Sequence, residues 1–408
     1  MPTAAELDQN DPLAAKRDEF HVPDGVIYLD GNSLGCLPKA AVTRMQEVVA
    51  GEWGESLIRG WNEHHWIDMP ARLGDRIAQL IGAAPGTVVA ADSTSINLVK
   101  VLSAGLAMRP DRKVVLSDTG NFPADLYMAQ GMIRTLNQGH ELKLVAPEDV
   151  EAAIDETVAV MMLTEVDYRT GRRHNMKALT DKAHAAGAIA QWDLCHSAGA
   201  MPVDLAGANA DFAIGCTYKY LNGGPGAPAY LYVRPDHLAN VEPFLSGWMG
   251  HEAPFDFDLD YRPAPGTERM TVGTPPVLGL TALDAALDAW DGVRMNDVRQ
   301  KSMALGDLFI KEVEDRCSEY GLLLGSPRDA ETRGSQVSFH CENGYAVMRA
   351  LIEEGVIGDF RRPDIMRFGF TPLYLRYQDI VDAVAILECI LNEELWREPR
   401  FQVRAKVT

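Results

Sequence analysis

Asp211-Phe212-Ala213-Ile214-Gly215-Cys216-Thr217-Tyr218-Lys219-Tyr220-Leu221-Asn222-Gly223-Gly224-Pro225-Gly226-Ala227 is the stretch around which the chain is organised. The apolar run Phe212 to Cys216 has the composition of a buried strand. It delivers Thr217, Tyr218 and Lys219 to its end, and Asn222 to Gly226 form a turn too rich in glycine for helix or strand. A second apolar run, Ala227 to Val233, leaves as another strand. A lysine at a strand terminus is ordinarily a solvated surface residue. The sharper alternative is a Schiff-base lysine, which needs an amine that sheds its proton near neutral pH.

Working outward, further apolar runs precede this one. Thr87–Ala91, Lys113–Leu116, Val158–Leu163 and Ala188–Trp192 read as strands, separated by helical spacing at 96–106, from 126 onward and at 175–186. Solidly apolar strands alternating with helices predict an α/β fold, a mostly parallel sheet sandwiched by helices. In such sheets ligands bind at the strand ends. Polar residues gather at those ends here: Ser93-Thr94-Ser95 before a helix, Asn121-Phe122-Pro123-Ala124-Asp125, Thr164-Glu165, and Asp193 with His196. Hydroxyls at a helix start are first of all caps, but the same helix end also suits a phosphate.

Before this region, Met1–Val22 is a polar lead-in, Val26–Asp30 is strand-like, Gly31–Gly35 is a turn, and 39–57 has helical spacing. His64-His65 is a poor metal pair, and Trp61 to Trp66 reads as an aromatic wall or a subunit contact. After Val233 a long loop runs through Gly247–His251 to Tyr261, a turn spans Thr271–Pro276, and a helix covers 277–290. Beyond Gly292 a smaller α+β domain is expected, with helices at 300–314, 344–354 and 377–393 and strands at 336–340 and 365–369. The expected division is an N-terminal segment contributing to the site (1–60), a large domain (61–291) and a small C-terminal domain (292–408).

The 408 residues carry a formal net charge of −20, which disfavours nucleic acid or an anionic membrane as partner. No run approaches the roughly 20 apolar residues of a membrane span. The polar, acidic start lacks an export signal, and the six cysteines form no C-x-x-C pair. A reducing cytoplasm is expected.

Lys219, Asp193, the hydroxyls Thr94 and Ser95, and Phe122 together match the needs of pyridoxal phosphate. That cofactor takes a lysine for its aldehyde, a carboxylate for its ring nitrogen, hydroxyls for its phosphate and a flat face for its ring. Several segments carry a resemblance to a known family. They are Leu29–Gly35, Asn121–Asp125, Asp193–His196, Thr217–Gly226, Gly247–His251 and Arg367-Phe368, in the family's order and over nearly the whole chain. The large domain resembles the fold-type I pyridoxal phosphate enzymes of the class V branch, and within them it is most similar to the kynureninases.

The resemblance implies that Lys219 anchors the cofactor and moves protons at the substrate's α-carbon. Asp193, helped by Asp125, faces the pyridine nitrogen, and Phe122 stacks on the ring with Pro123 and Ala124 beside it. Thr94, Ser95 and Tyr218 hold the phosphate, while Thr164 and His196 line the other edge. Trp248 and Thr274 come from the neighbouring subunit of a homodimer. Arg367 takes the α-carboxylate, and Asn32, Ser33 and one tryptophan of 61–66 complete the substrate pocket. Tyr218 also serves as acid or base near the γ-carbonyl.

The implied reaction is hydrolysis of L-kynurenine to anthranilate and L-alanine, within tryptophan catabolism, the kynurenine pathway and NAD biosynthesis. The small Thr274 favours kynurenine over 3-hydroxykynurenine. Other class V reactions, desulfurase-like or epimerase-like, would share Lys219 and Asp193. A desulfurase needs a cysteine on a mobile loop, whereas Cys317, Cys341 and Cys389 sit in or beside apolar or helical patterns. A cofactor-binding protein without turnover has no use for Arg367.

Overall fold

The computed structural model describes residues 3–404, so the ends of the expected N-terminal and C-terminal ranges lie outside the described residues. A seven-stranded sheet forms its centre. In chain order its strands are β1 (Val88–Ala90), β2 (Val114–Asp118), β3 (Glu141–Val145), β4 (Val158–Thr164), β5 (Ile189–Asp193), β6 (Phe212–Gly215) and β7 (Tyr230–Val233). Their spatial order is β1-β7-β6-β5-β4-β2-β3. The pairs from β6 through β3 are parallel, and β7 runs antiparallel to both β1 and β6. The expected mostly parallel sheet is therefore present, with one strand reversed.

Every residue of β2, β4, β5 and β6 is buried, as a sheet covered on both faces requires. Strand β3 had no sequence signal. It is an edge strand, half-exposed, and Glu141 and Lys143 break its apolar run.

Three helices set the polar edge. Helix α1 (Thr94–Ala107) is capped by Ser93, whose side chain accepts from the Ile96 amide. Helix α2 (Pro123–Leu136) starts earlier than its spacing suggests, with Pro123 in the first turn and Asp125 turned inward. Helix α3 (Met176–Ala185) is capped by Asn175. Because β2, β4, β5 and β6 are parallel, Asp118, Thr164, Asp193 and the chain after Gly215 all emerge on one edge.

A second, four-stranded antiparallel sheet follows: β8 (Leu323–Leu324), β9 (Gln336–His340), β10 (Asp359–Arg361) and β11 (Ile365–Gly369), ordered β8-β9-β11-β10. The N-terminal segment binds to this side of the molecule. Ile27–Tyr28 pairs in parallel with Val356–Ile357, Asp30 bridges to Gly369, and the buried Lys301 holds Asp11 at 2.6 Å. The 31–35 turn is thereby hung between the small sheet and the lysine loop. The expected 39–57 helix continues from Lys39 to Ser56 but widens into a π turn over Val48–Trp53.

Candidate active site

Lys219 lies beyond the end of β6, on a closed loop rather than at the strand terminus itself. The loop is closed by hydrogen bonds from the Asn222 amide to the Lys219 carbonyl (2.9 Å) and from the Gly223 amide to the Thr217 carbonyl (2.9 Å). Gly224 and Gly226 have φ of +90° and +74°, a region in which other residues are strained. The 31–35 turn presses directly on this loop. The Gly35 amide donates to the Tyr218 carbonyl at 2.8 Å, and a Cβ on Gly35 would meet the Lys219 carbonyl at 2.4 Å. Two motifs far apart in sequence are thus one surface.

Around the half-buried Lys219 amine the expected groups converge. Nζ lies 3.0 Å from His196 Nε2 and 5.9 Å from the centre of the Phe122 ring. The Tyr218 ring centre is 5.8 Å away. Phe122 meets Tyr168 edge-on at 5.0 Å and keeps an exposed face. Asp193 accepts from the Cys195 amide at 2.7 Å and is hydrogen-bonded to Asp125.

Burial first, and then the Asp193 charge, push Asp125 well above the ordinary carboxylate range. Among the described residues, no donor is hydrogen-bonded to Asp125 Oδ2. Burial and the nearby Lys219 and Arg367 charges hold His196 well below the usual imidazole value, so it is neutral. Burial likewise raises the Tyr218 hydroxyl, which stays protonated through neutral pH.

Beside this cluster opens a cavity of about 540 Å³ lined by Ser93, Thr94, Tyr218, Ala229 and Thr274. Ser95 is in the same first turn of α1. Thr274 of the same chain also lines this cavity. Trp248 is exposed and packs edge-on against Phe255, with an interplanar angle of 88°. The Thr164 hydroxyl turns back to the Val166 carbonyl at 3.2 Å. Of the tryptophan cluster, Trp66 is buried, donates to Glu52 at 2.9 Å and lines a separate apolar cavity with Val48, Trp53 and Pro276.

A second polar group surrounds Arg367, buried on β11. Its Nε donates to Asp359 Oδ1 at 2.8 Å, its Nη2 to Ser33 Oγ at 2.7 Å and to Asp359 Oδ2, and its Nη1 to the Tyr168 carbonyl at 2.5 Å. Asn32 Nδ2 donates to Gln336 Oε1 at 3.2 Å. Asp30, 4.0 Å from Arg367, is pushed up to about 7 by burial and by the Asp359 charge. Sequence reading missed Asp359, Gln336 and Tyr168. The one visible signal was charge alternation in Asp359-Phe360-Arg361, beside a buried arginine strand.

This arrangement fits pyridoxal phosphate. A buried Asp125 oxygen with no hydrogen-bond donor among the described residues, beside Asp193, complements a protonated ring nitrogen. The exposed Phe122 face suits a flat ring, and a hydroxyl-lined cavity at a helix start suits a phosphate.

Fold and site together define a fold-type I pyridoxal phosphate–dependent transferase fold. The structure aligns with apo cysteine desulfurase from Thermococcus onnurineus NA1 at TM-score 0.77 and 21% identity, covering 93% of this chain and 98% of that one. It aligns with a C-DES mutant bearing glycine covalently linked to its PLP cofactor at TM-score 0.75 and 17% identity, covering 91% and 98%. Sequence comparison carries the assignment further. The kynureninase C-terminal domain family matches residues 298–387. The chain is 52% identical to the kynureninase of Burkholderia pseudomallei (strain 1106a), covering 99% of both chains. It is 52% identical to that of Pseudomonas fluorescens, covering 98% of both. The chain belongs to the kynureninase family.

Proposed function

We propose that the protein hydrolyses L-kynurenine to anthranilate and L-alanine, using pyridoxal 5'-phosphate anchored at Lys219. One observation carries the reading of the site: the Lys219 amine sits against a neutral His196, near the Phe122 ring and the buried carboxyl pair Asp125 and Asp193. When bound, the cofactor supplies an electron sink for the carbon left behind as the substrate's α-C–H bond breaks.

The rest is done by the chain's own residues. Asp193 and Asp125 hold positive charge at the ring nitrogen, and Phe122 covers the ring, with Pro123 and Ala124 setting the helix start behind it. Thr94, Ser95 and Tyr218 hold the phosphate, with Trp248 and Thr274 supplied by the neighbouring subunit, while Thr164 and His196 bound the far edge. Arg367, Ser33 and Asn32 orient the α-carboxylate, a task suited to a planar guanidinium. Asp359 already grips that guanidinium from behind, so its direction is set before substrate arrives. Lys219 Nζ carries the α-proton, and Tyr218 Oη passes a proton at the γ-carbonyl as water adds and the Cβ–Cγ bond breaks.

The range 1–60 acts as a site-completing segment, with 61–291 and 292–408 as the large and small domains. The enzyme works as a homodimer, a reading supported by the exposed Val49, Trp53, Leu57 and Ile58 beside the Trp66-lined apolar cavity, and by the exposed Trp248, Phe255, Phe257 and Leu259. It acts in the cytoplasm, in tryptophan catabolism and NAD biosynthesis, which free cysteines throughout the described residues support. A desulfurase-type reaction is disfavoured: Cys317 and Cys341 are buried, and the exposed Cys389 sits within the helix Tyr377–Asn392.

The test mixes protein, pyridoxal phosphate and L-kynurenine and follows anthranilate fluorescence. Anthranilate with matching alanine is expected, faster than from 3-hydroxykynurenine. Absence of anthranilate, with a spectral response to other amino acids, would move the assignment to another class V reaction.

A further inference from the structure

Gln336 opens β9, is fully buried and belongs to none of the motifs the sequence offers. Its amide fits in one orientation only. One end lies 3.2 Å from the Asp167 carbonyl oxygen and 3.1 Å from that of Tyr168. Carbonyl oxygens only accept, so this end is the NH2 group. The other end is therefore the oxygen, and it faces Asn32 Nδ2 and His196 Nδ1, each at 3.2 Å. Since that oxygen also only accepts, His196 Nδ1 must carry a proton. Burial, with the positive charges of Arg367 and Arg361, keeps the ring from holding a second one. Nε2 is left as a lone pair, and Lys219 Nζ is 3.0 Å from it.

We infer that Gln336 is a positioning residue that locks His196 in its Nδ1–H tautomer, so that an imidazole lone pair faces the Lys219 amine. The consequence is chemical. A neutral lysine amine has one lone pair, which must stay free to attack a carbonyl carbon or to take up a proton. In the locked tautomer the imidazole accepts an N–H from the amine and leaves that lone pair open. In the opposite tautomer, Nε2–H would donate into the lone pair and occupy it. The lock also joins the small sheet to the lysine, because the same amide holds Asn32 and the Asp167–Tyr168 loop.

The catalytic consequence rests on Lys219 being the cofactor-bearing lysine; the tautomer does not. Nitrogen-15 labelling of the histidines in the holoenzyme tests it directly, since protonated and bare imidazole nitrogens resonate far apart. The His196 signals are assigned by their loss in His196→Gln. Expected are a protonated Nδ1 and a bare Nε2 in the parent, and a shift of both signals toward the other tautomer in Gln336→Leu. A proton on Nε2 in the parent overturns the inference without recourse to any variant. So does an unchanged His196 pattern in folded Gln336→Leu. Because the spectrum is read without turnover, a protein that failed to cleave kynurenine would count against the proposed reaction alone.

Discussion

The two ends of strand β6 carry buried carboxylates in opposite circumstances. At the start, Asp211 is supplied from every side: His184 Nε2 at 2.8 Å, His237 Nε2 at 2.7 Å, Arg234 Nη1 at 2.9 Å and the Ala190 amide at 2.7 Å. Those hydrogen bonds and charges overcome the cost of its burial and hold it well below the usual carboxylate range. Beyond the other end, Asp125 and Asp193 face each other, Asp125 is raised, and one of its oxygens has no donor among the described residues. Burial is nearly equal at the two ends, so burial does not separate them; the supply of donors does. A saturated charge stabilises a fold, whereas an unsaturated one is complementary to something that is yet to bind.

If that contrast is right, substitutions at the two ends should divide cleanly between chemistry and stability. The largest effect on turnover is expected from Lys219→Ala. It removes the anchoring amine and should lower kcat by on the order of 10⁵-fold or more, as loss of a covalent catalytic group does. The cofactor's lysine-bound absorbance band should vanish while the unfolding midpoint changes little, since the side chain is only half-buried. Retained turnover would remove the basis for the whole site.

A smaller loss is expected from Tyr218→Phe. Burial keeps this hydroxyl protonated at neutral pH, so it begins as a proton donor. Losing it should cost about 10²–10⁴-fold in kcat, the usual range for a general acid or base. The absorbance band should survive, because Lys219 is untouched. Unchanged turnover would reduce Tyr218 to a wall of the phosphate cavity.

How far the sequence alone reaches follows the same division. Strands β4 and β5 are legible because burial on both faces demands unbroken apolar runs, and the lysine loop is legible because its glycines have no other use. Edge strand β3 is not legible, since solvent on one side permits Glu141 and Lys143. In the site, residues with their own chemistry were visible: Lys219, Asp193, His196, Arg367. Their holders were not. Gln336, Asp359 and the Tyr168 carbonyl act only through contacts made by distant parts of the chain, which no local pattern encodes.

The smallest effect on catalysis should come from Asp211→Asn, which probes the saturated end. The amide keeps one acceptor but turns an NH2 group toward a histidine donor, and the Arg234 charge loses its counter-ion. Breaking one partner of a buried ionic group costs about 3–5 kcal/mol; the retained acceptor places this variant near the lower figure. The urea midpoint should fall accordingly, with kcat per folded molecule unchanged. The pH dependence has a definite sign. A carboxylate depressed in the folded state stabilises fully above its unfolded value of about 3.9, and that stabilisation is lost as pH falls toward the folded value. The gap between parent and variant should therefore hold steady from neutral pH down to about pH 4 and narrow below it. A variant that kept its urea midpoint but lost turnover would show that Asp211 reaches the chemistry along β6, and the contrast between the two ends would fail.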